Sequence, residues 1–292
     1  MREGRVVRAI SGFFDVFDDG QVRRCRARGV FKVKGTTVLV GDFVRYEPVG
    51  AQEGIIREVL PRRTELIRPP IANVDHVVVA CSFVTPDLSF YMLDKTLLQA
   101  SVAGVEPTIA FTKADLVSPE LASATVELYR RLGYEAVAVA AKQGEGVSVL
   151  RARLQGRVTV LAGPSGAGKS TLANALAPGI SFKTGEVSEK IGRGRQTTRH
   201  VELVRLDDAT WMADAPGFSQ LQVPVASREV RLHFPEFRPL AQECAYRDCL
   251  HLDEDNCAVK RAVEEGHVPA PRYMSYRQLY EEAREQELNA YS

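Results

Sequence analysis

The sequence predicts a multidomain α/β protein with three units in series. These are a small N-terminal β-barrel, a central mostly parallel sheet with helices on both faces, and a mostly helical C-terminal unit. Short segments rich in valine, isoleucine and aromatic residues come first, apolar strands then alternate with helical stretches, and three cysteines finally cluster around one histidine. We place the units at residues 1–68, 69–220 and 221–292.

The N-terminal prediction depends on five short segments that show no helical period. They read RVVRAI, FFDVF, QVRRCRARG, TTVLVGDFVRYEP and GIIREVL, with glycine or aspartate between them. Short strands separated by turn residues favour a small barrel. The next segment, ELIRPP, is predicted to be a linker, because its paired prolines interrupt regular structure.

The central prediction depends on alternation between Asp75 and Asp214. Apolar segments such as HVVVACSF, PTIAFTKADL, EAVAVAA and RVTVLAG are separated by stretches with helical spacing. This order is typical of right-handed βαβ units around a parallel sheet. The alternation ends near residue 220, where helical fragments surround the cysteines.

Composition limits the class of protein. The chain has 292 residues, of which 45% are hydrophobic and 26% charged, enough to form several cores. The N-terminus mixes charges into its apolar positions, and no run of about 18 apolar residues occurs. We therefore expect no signal peptide, no membrane span and a cytoplasmic location, where clustered cysteines indicate a metal before a disulfide.

A phosphate-loop motif follows the predicted strand RVTVLAG. The segment GPSGAGKST fits the pattern G-x-x-x-x-G-K-[ST], whose backbone N–H groups surround phosphates. Lys169 is expected to reach the β and γ phosphates, and the Ser170 hydroxyl to coordinate Mg²⁺. The predicted nucleotide-binding residues of this loop are Gly163, Pro164, Ser165, Gly166, Ala167, Gly168, Lys169, Ser170 and Thr171.

The segment TKAD resembles the element that selects guanine in GTPases. Asp115 can accept hydrogen bonds from guanine N1–H and the 2-amino group, which adenine does not offer in that pattern. Lys113 packs along the purine, and Thr112 stands where GTPases usually carry asparagine. An exposed Lys/Asp turn is the alternative for an isolated tetrapeptide. Ala141 and Lys142 match the loop that packs on guanine.

Two further segments match the GTPase switches. WMADAPGF supplies Asp214, expected to hold Mg²⁺ through water, and Gly217, whose N–H contacts the γ phosphate. In the polar segment GRGRQTTRH, Thr198 is predicted to complete the Mg²⁺ shell, with Thr197 as the alternative. The predicted catalytic residues are Lys169, Thr198, Asp214 and Gly217.

Along the chain the two base-binding segments come first, then the phosphate loop, and then the two switch segments. This is a circular permutation of the usual GTPase order. A permutation is tolerated because the sheet fixes where each element sits and chain termini often lie close together. An ATP-dependent kinase remains an alternative only if Asp115 does not select the base. The second switch would run directly into the C-terminal unit.

Three cysteines and a histidine form a metal-ligand pattern in that unit. Cys244, Cys249, His251 and Cys257 supply four ligands suited to tetrahedral Zn²⁺, with no position left for water. The pattern predicts one structural zinc site, and buried thiols that merely cluster are the alternative.

Over essentially its whole length the chain resembles the RsgA/YjeQ family of GTPases that depend on the small ribosomal subunit. The resemblance lies in GPSGAGKST, DAPGF, FPEF at 234–237 and the spacing Cys-x4-Cys-x-His-x5-Cys. It implies an OB fold for the barrel, a zinc-binding C-terminal domain, GTP/GDP and Mg²⁺ as ligands, and late maturation of the small ribosomal subunit.

The resemblance also implies partners. The arginines of RRCRARG, with Phe13, Phe14, Phe17 and Phe31 nearby, are expected to contact rRNA, although a solvated charged strand is the alternative. Phe218 replaces the glutamine that orients water in ordinary GTPases, so turnover should be slow alone and stimulated by the subunit. His200 is a candidate for orienting the water, and a strand-edge histidine with no catalytic role is the alternative. A GTP-gated rRNA-binding module with incidental hydrolysis is the main alternative. We expect a monomer.

Overall fold

The computed structural model describes residues 1–27, 37–67, 70–180, 201–214, 223 and 225–290. Five strands form the N-terminal barrel: β1 Arg2–Ile10, β2 Phe13–Asp18, β3 Gln21–Ala27, β4 Phe43–Val49 and β5 Glu53–Val59. They lie in the order β1-β2-β3-β5-β4, and β4 pairs back with β1, which closes the barrel. Apolar side chains that alternate along these strands fill the interior, led by Val6, Val16, Val44, Tyr46 and Ile56. The predicted barrel is confirmed.

The predicted linker contains a short ladder instead. Strand β6, Glu65–Ile67, pairs antiparallel with β7, Pro70–Ala72. Pro70 is the first residue of its strand, a position where a missing N–H is tolerated, so the prediction of irregular structure was wrong here. The Asn73 side chain fixes this hairpin to the barrel by accepting from Arg63 N at 2.9 Å and donating to Gly41 O at 3.1 Å.

The central sheet has the predicted parallel core. Strands β8 His76–Ser82, β9 Glu106–Thr112, β10 Glu135–Val139, β11 Val158–Ala162 and β13 Trp211–Asp214 lie in the order β10-β9-β8-β11-β13 and run parallel. Strand β12, Glu202–Arg205, pairs antiparallel with β13. The strand that carries the phosphate loop therefore lies in the middle of the sheet, although it comes late in the chain.

Helices cover both faces of this sheet. Helices α1 Phe90–Val102 and α2 Pro119–Arg131 bury Leu97 and Tyr129 against one face. Helices α3 Val147–Leu154 and α4 Lys169–Leu176 bury Leu150 and Leu172 against the other. Because each helix returns the chain to the start of the next parallel strand, all loops at the carboxyl ends of the strands gather at one edge.

Backbone hydrogen bonds join the barrel to the central sheet. Strand β1 pairs with β12 at Arg8 and Glu202, so that one hydrogen-bonded sheet extends through both units. The Phe17 ring meets Trp211 edge-on, with 5.1 Å between centroids. Phe17 thus packs on the central unit, whereas Phe14 packs against the barrel core.

The C-terminal unit is mostly helical, as predicted. A 3-10 helix, Ser227–His233, precedes α5 Phe237–Ala241, α6 Ala258–Glu264 and α7 Ala270–Ala290. Its core stacks Phe234 on Phe237 and packs both rings against Tyr276, and Leu98 of α1 joins the same cluster. In the part of the chain described, no helix is long and apolar enough to cross a membrane.

Candidate nucleotide site and metal centre

The phosphate loop occupies residues 163–168, between the end of β11 and the start of α4. Gly163, Gly166 and Gly168 have φ angles of 131°, 80° and 81°, in the region that favours glycine. A Cβ at Gly163 would lie 2.2 Å from the carbonyl oxygen of Ala80, so no larger residue fits there. The loop passes close over β8 and leads into the N-terminal turn of α4, where free N–H groups attract anions.

Lys169 folds back over this loop. Its Nζ donates to the carbonyl oxygens of Gly163 at 2.8 Å and Pro164 at 2.7 Å. Burial lowers the pKa of Lys169, because the ammonium group loses solvation. A half-buried cation with neutral carbonyl partners is well placed to exchange them for phosphate oxygens. Ser170 and Thr171 follow it in the first turn of α4, also half-buried.

Thr112 connects the base-reading loop to the phosphate loop. Its buried hydroxyl donates to the carbonyl oxygen of Ala167 at 2.7 Å. The shorter threonine therefore still braces the neighbouring loop. Lys113, with a left-handed φ of 57°, directs its Nζ to the carbonyl oxygens of Val84 (3.3 Å) and Thr85. Both side chains hold the loop that presents Asp115.

Asp115 lies exposed in a single 3-10 turn, Ala114–Leu116. The carboxylate accepts from Nε2 of Gln143 at 3.1 Å, across the gap between two loops. Ala141 and Lys142 immediately precede Gln143 in the turn after β10. Since Val139 of β10 pairs in parallel with Thr112 of β9, the two loops emerge side by side. Sequence reasoning missed Gln143, whose position next to Ala141 and Lys142 was the only available signal.

Asp214 ends strand β13 at the same edge. Its neighbour Ala213 pairs with Val160 of β11, two residues before the end of that strand. The backbone therefore brings Asp214 beside the start of the phosphate loop. Thr198 and Gly217, like Thr197, His200 and Phe218, lie outside the described residues. The loops after β9, β10 and β11 thus meet Asp214 at the carboxyl ends of the parallel strands, the usual ligand edge of such sheets.

The four predicted metal ligands meet in the C-terminal unit. Their ligand atoms all lie within 4.8 Å of one another, and Cys249, His251 and Cys257 are buried. Cys244 Sγ lies 3.9 Å from Cys257 Sγ, and His251 Nδ1 lies 3.6 Å and 3.3 Å from those two sulfurs. Zinc bonds of about 2.0–2.3 Å in a tetrahedron separate ligand atoms by roughly 3.5–3.8 Å, so the cluster fits a zinc ion.

The protonation of the cluster is consistent with metal binding. Burial lowers the pKa of His251 to about 4, so its imidazole is neutral at pH 7 and its Nδ1 can act as a ligand. Burial also raises the pKa of the Cys249 thiol to about 12. Zinc binding would then release a proton from that thiol. The Phe237 ring closes one side of the cluster, 5.7 Å from the His251 ring.

Comparison with known proteins identifies the family. The family model for the RsgA GTPase matches residues 59–224, more than half of the chain, and that for the RsgA N-terminal domain matches residues 3–56. The chain belongs to the RsgA GTPase family. It is therefore a GTP hydrolase, and membership implies GTP, GDP and Mg²⁺ as its ligands.

Relatives match along nearly the whole chain. A protein named small ribosomal subunit biogenesis GTPase RsgA from Moorella thermoacetica is 46% identical over 94% of each chain. Its namesake from Caldanaerobacter subterraneus subsp. tengcongensis is 40% identical over 99% of this chain and 98% of that protein.

Solved structures confirm the architecture. The crystal structure of YjeQ from Thermotoga maritima is similar, with a TM-score of 0.83, 32% identity and coverage of 97% of this chain and 98% of that one. YloQ, described as a circularly permuted GTPase, has a TM-score of 0.81 and 34% identity over 98% of this chain and 96% of its own. The permutation predicted from the motif order is thus confirmed.

Proposed function

We propose that this GTPase binds the small ribosomal subunit and couples GTP hydrolysis to late maturation of that subunit and to its own release. The observation that carries the proposal is the meeting of the two base loops, the phosphate loop and Asp214 at one edge of the central sheet. The names of the relatives support the choice of partner. We further propose a cytoplasmic monomer with domains at 1–68, 69–220 and 221–292.

Each site residue takes a role in this proposal. Asp115 reads guanine, and Thr112, Lys113, Ala141 and Lys142 shape the base pocket. Residues 163–171 bind the phosphates, with Lys169 as the cation. Ser170 and Thr198 ligate Mg²⁺, while Asp214 holds it through water and Gly217 contacts the γ phosphate. Mg²⁺ would neutralise charge on the phosphates. One Zn²⁺ at Cys244, Cys249, His251 and Cys257 stabilises the C-terminal unit.

The barrel supplies the rRNA contact in this proposal. Arg24 and Arg26 lie on the outer face of β3, with their guanidinium groups 4.7 Å and 4.8 Å from the centroid of Phe13. Arg23 points the other way, buried, and donates to the Tyr46 hydroxyl at 3.1 Å. Strand alternation thus divides the basic segment: Arg24 and Arg26 are available to phosphates, whereas Arg23 is structural.

Subunit dependence is the first test of this function. Because a phenyl ring at position 218 cannot orient water, we expect steady-state GTP hydrolysis to be slow for the purified protein. Addition of small ribosomal subunits should raise turnover at least roughly tenfold, which is about 1.4 kcal/mol of barrier. Lys169→Ala should remove the stimulated activity. Subunits that bind in a GTP-dependent way but leave turnover flat would support the rival function, a GTP-gated rRNA-binding module.

Base specificity is the second test. Asp115→Asn should weaken GDP binding by roughly two orders of magnitude, because a buried donor pair on the base loses its acceptor, and should raise affinity for xanthosine diphosphate. Fluorescence titration with both nucleotides measures the change. Asp208→Asn, an exposed aspartate in the β12–β13 connection, is the control. An unchanged preference for guanine would exclude Asp115 as the residue that selects the base.

A further inference from the structure

We propose that Gln143 is a positioning residue for guanine recognition: its side-chain amide holds the Asp115 carboxylate in the orientation that the base requires. The inference rests on the proposed role of Asp115. Gln143 Nε2 donates to Asp115 Oδ2 at 3.1 Å. In the part of the chain that the structure describes, no other side chain is hydrogen-bonded to this carboxylate.

The turn that carries Gln143 is closely defined by its backbone. Ala140 N donates to Glu145 O at 3.1 Å, Glu145 N returns to Ala140 O at 3.2 Å, and Gln143 N also donates to Ala140 O at 3.0 Å. A Cβ at Gly146 would lie 2.2 Å from the carbonyl oxygen of Ala138, so the exit of the turn also admits only glycine. The backbone at Gln143 is therefore well defined, and from there the side-chain amide reaches Asp115.

The backbone of Asp115 is held by its loop, but its side chain is exposed. This residue lies in a turn of three residues, and its side chain is free to rotate unless a partner fixes it. Two parallel hydrogen bonds to guanine require the carboxylate plane to match the base edge. Each carboxylate oxygen can accept two hydrogen bonds, so Oδ2 can keep Gln143 and still accept from the base. Orientation before binding reduces the entropy lost on binding.

The residues near Gln143 in the two base loops are less suited to donate a hydrogen bond to Asp115. Ala140 occupies the position of the serine in the usual S-A-K loop and has no side-chain donor. Lys142 is exposed, and Lys113 is directed to the carbonyl oxygens of Val84 and Thr85. Gln143 is thus the donor that reaches Asp115 from the second base loop.

The test compares Gln143→Met, which keeps length without a donor, with Gln143→Lys, which restores one. We expect Gln143→Met to weaken GDP binding by about three- to tenfold, the effect of losing one hydrogen bond of ordinary net strength. Inosine diphosphate lacks the 2-amino group, so its affinity should fall less, and the guanosine-to-inosine affinity ratio should decrease. KM for GTP should rise more than kcat falls. Gln143→Lys should recover most of the GDP affinity.

Controls separate this inference from the proposed function. Gln155→Met changes an exposed glutamine before β11, at the opposite sheet edge, and should leave both affinities unchanged. In an Asp115→Ala background, Gln143→Met should cause no further loss. If Asp115→Asn alters base preference but Gln143→Met leaves GDP affinity unchanged or increases it, the positioning role is wrong while base reading by Asp115 stands. If Asp115→Asn has no effect, the base-reading proposal itself fails.

Discussion

Removal of zinc from Cys244, Cys249, His251 and Cys257 is expected to unfold the metal loop and loosen the helices that pack on it. Structural zinc contributes on the order of 10 kcal/mol to the folding of small domains. The loss of structure should extend to α7, because two tyrosines of this helix bind the metal loop. The Tyr273 hydroxyl donates to the His251 carbonyl at 2.6 Å, and the Tyr276 hydroxyl donates to the Leu250 carbonyl. Near-ultraviolet circular dichroism and limited proteolysis before and after chelation measure the change.

Matched cysteine variants make the zinc test specific. Cys249→Ser should purify without its one equivalent of zinc and should be cleaved rapidly within 240–290. Cys81→Ala removes a buried cysteine of β8, outside the cluster, and should keep the metal. Nucleotide binding should persist in Cys249→Ser, since the phosphate loop packs on β8 and β11 and not on the metal loop. A zinc-free Cys249→Ser protein whose C-terminal unit resists proteolysis as the parent does would contradict a folding role for the metal.

Local motifs explain how much of the molecule was predictable. The phosphate loop and the zinc ligands were recognised because their chemistry demands fixed residue types at short spacing, and β11 leads into the loop as expected. The alternation of apolar strands with helical stretches predicted the parallel sheet, and the order of the motifs predicted the circular permutation. These features depend on neighbours in sequence, where periodicity and spacing carry the information.

Contacts between distant segments were not predictable. Gln143 and Asp115 meet only because β9 and β10 are adjacent, and the β1–β12 pairing joins Arg8 to Glu202 across nearly two hundred positions. No local pattern encodes these pairs. The ladder at Glu65–Ile67 was missed for a different reason: a proline opening a strand and a proline ending regular structure look alike in sequence. Tertiary context decided each case.

Arg272 presents the second large expected effect. Arg272→Met should lower the free energy of unfolding by about 3–5 kcal/mol, because it leaves buried carboxylates without their cation. The guanidinium contacts Asp94, donates to Glu236 Oε1 at 2.6 Å and to the Tyr134 hydroxyl at 2.6 Å. Burial opposes its charge, but attraction from Asp94, Tyr134 and Glu236 raises the pKa of Arg272 well above its usual value. Urea denaturation measures the loss.

The control lies on the same helix. Arg284→Met breaks an exposed pair with Glu281, 3.9 Å apart, and should change stability by less than about 0.5 kcal/mol. Asp94→Asn introduced into Arg272→Met should recover part of the loss, because it removes one stranded charge. Equal stability of Arg272→Met and Arg284→Met would mean that water or structural relaxation satisfies the carboxylates of Asp94 and Glu236. The ion pairs of Arg272 would then not stabilise the contact between the central and C-terminal units.

The position of Arg272 gives this stability effect a functional consequence. Asp94 lies on α1, and Arg272 lies on α7. Helix α1 follows the segment in which the carbonyl oxygens of Val84 and Thr85 accept hydrogen bonds from Lys113. A second pair, Lys95 and Glu282 at 2.5 Å, joins the same helices. Since both pairs join α1 to α7, Arg272→Met should loosen the packing of α7 on α1, with a smaller effect on GDP binding. Hydrogen exchange should then show faster exchange in 270–290 with the phosphate loop still protected by nucleotide.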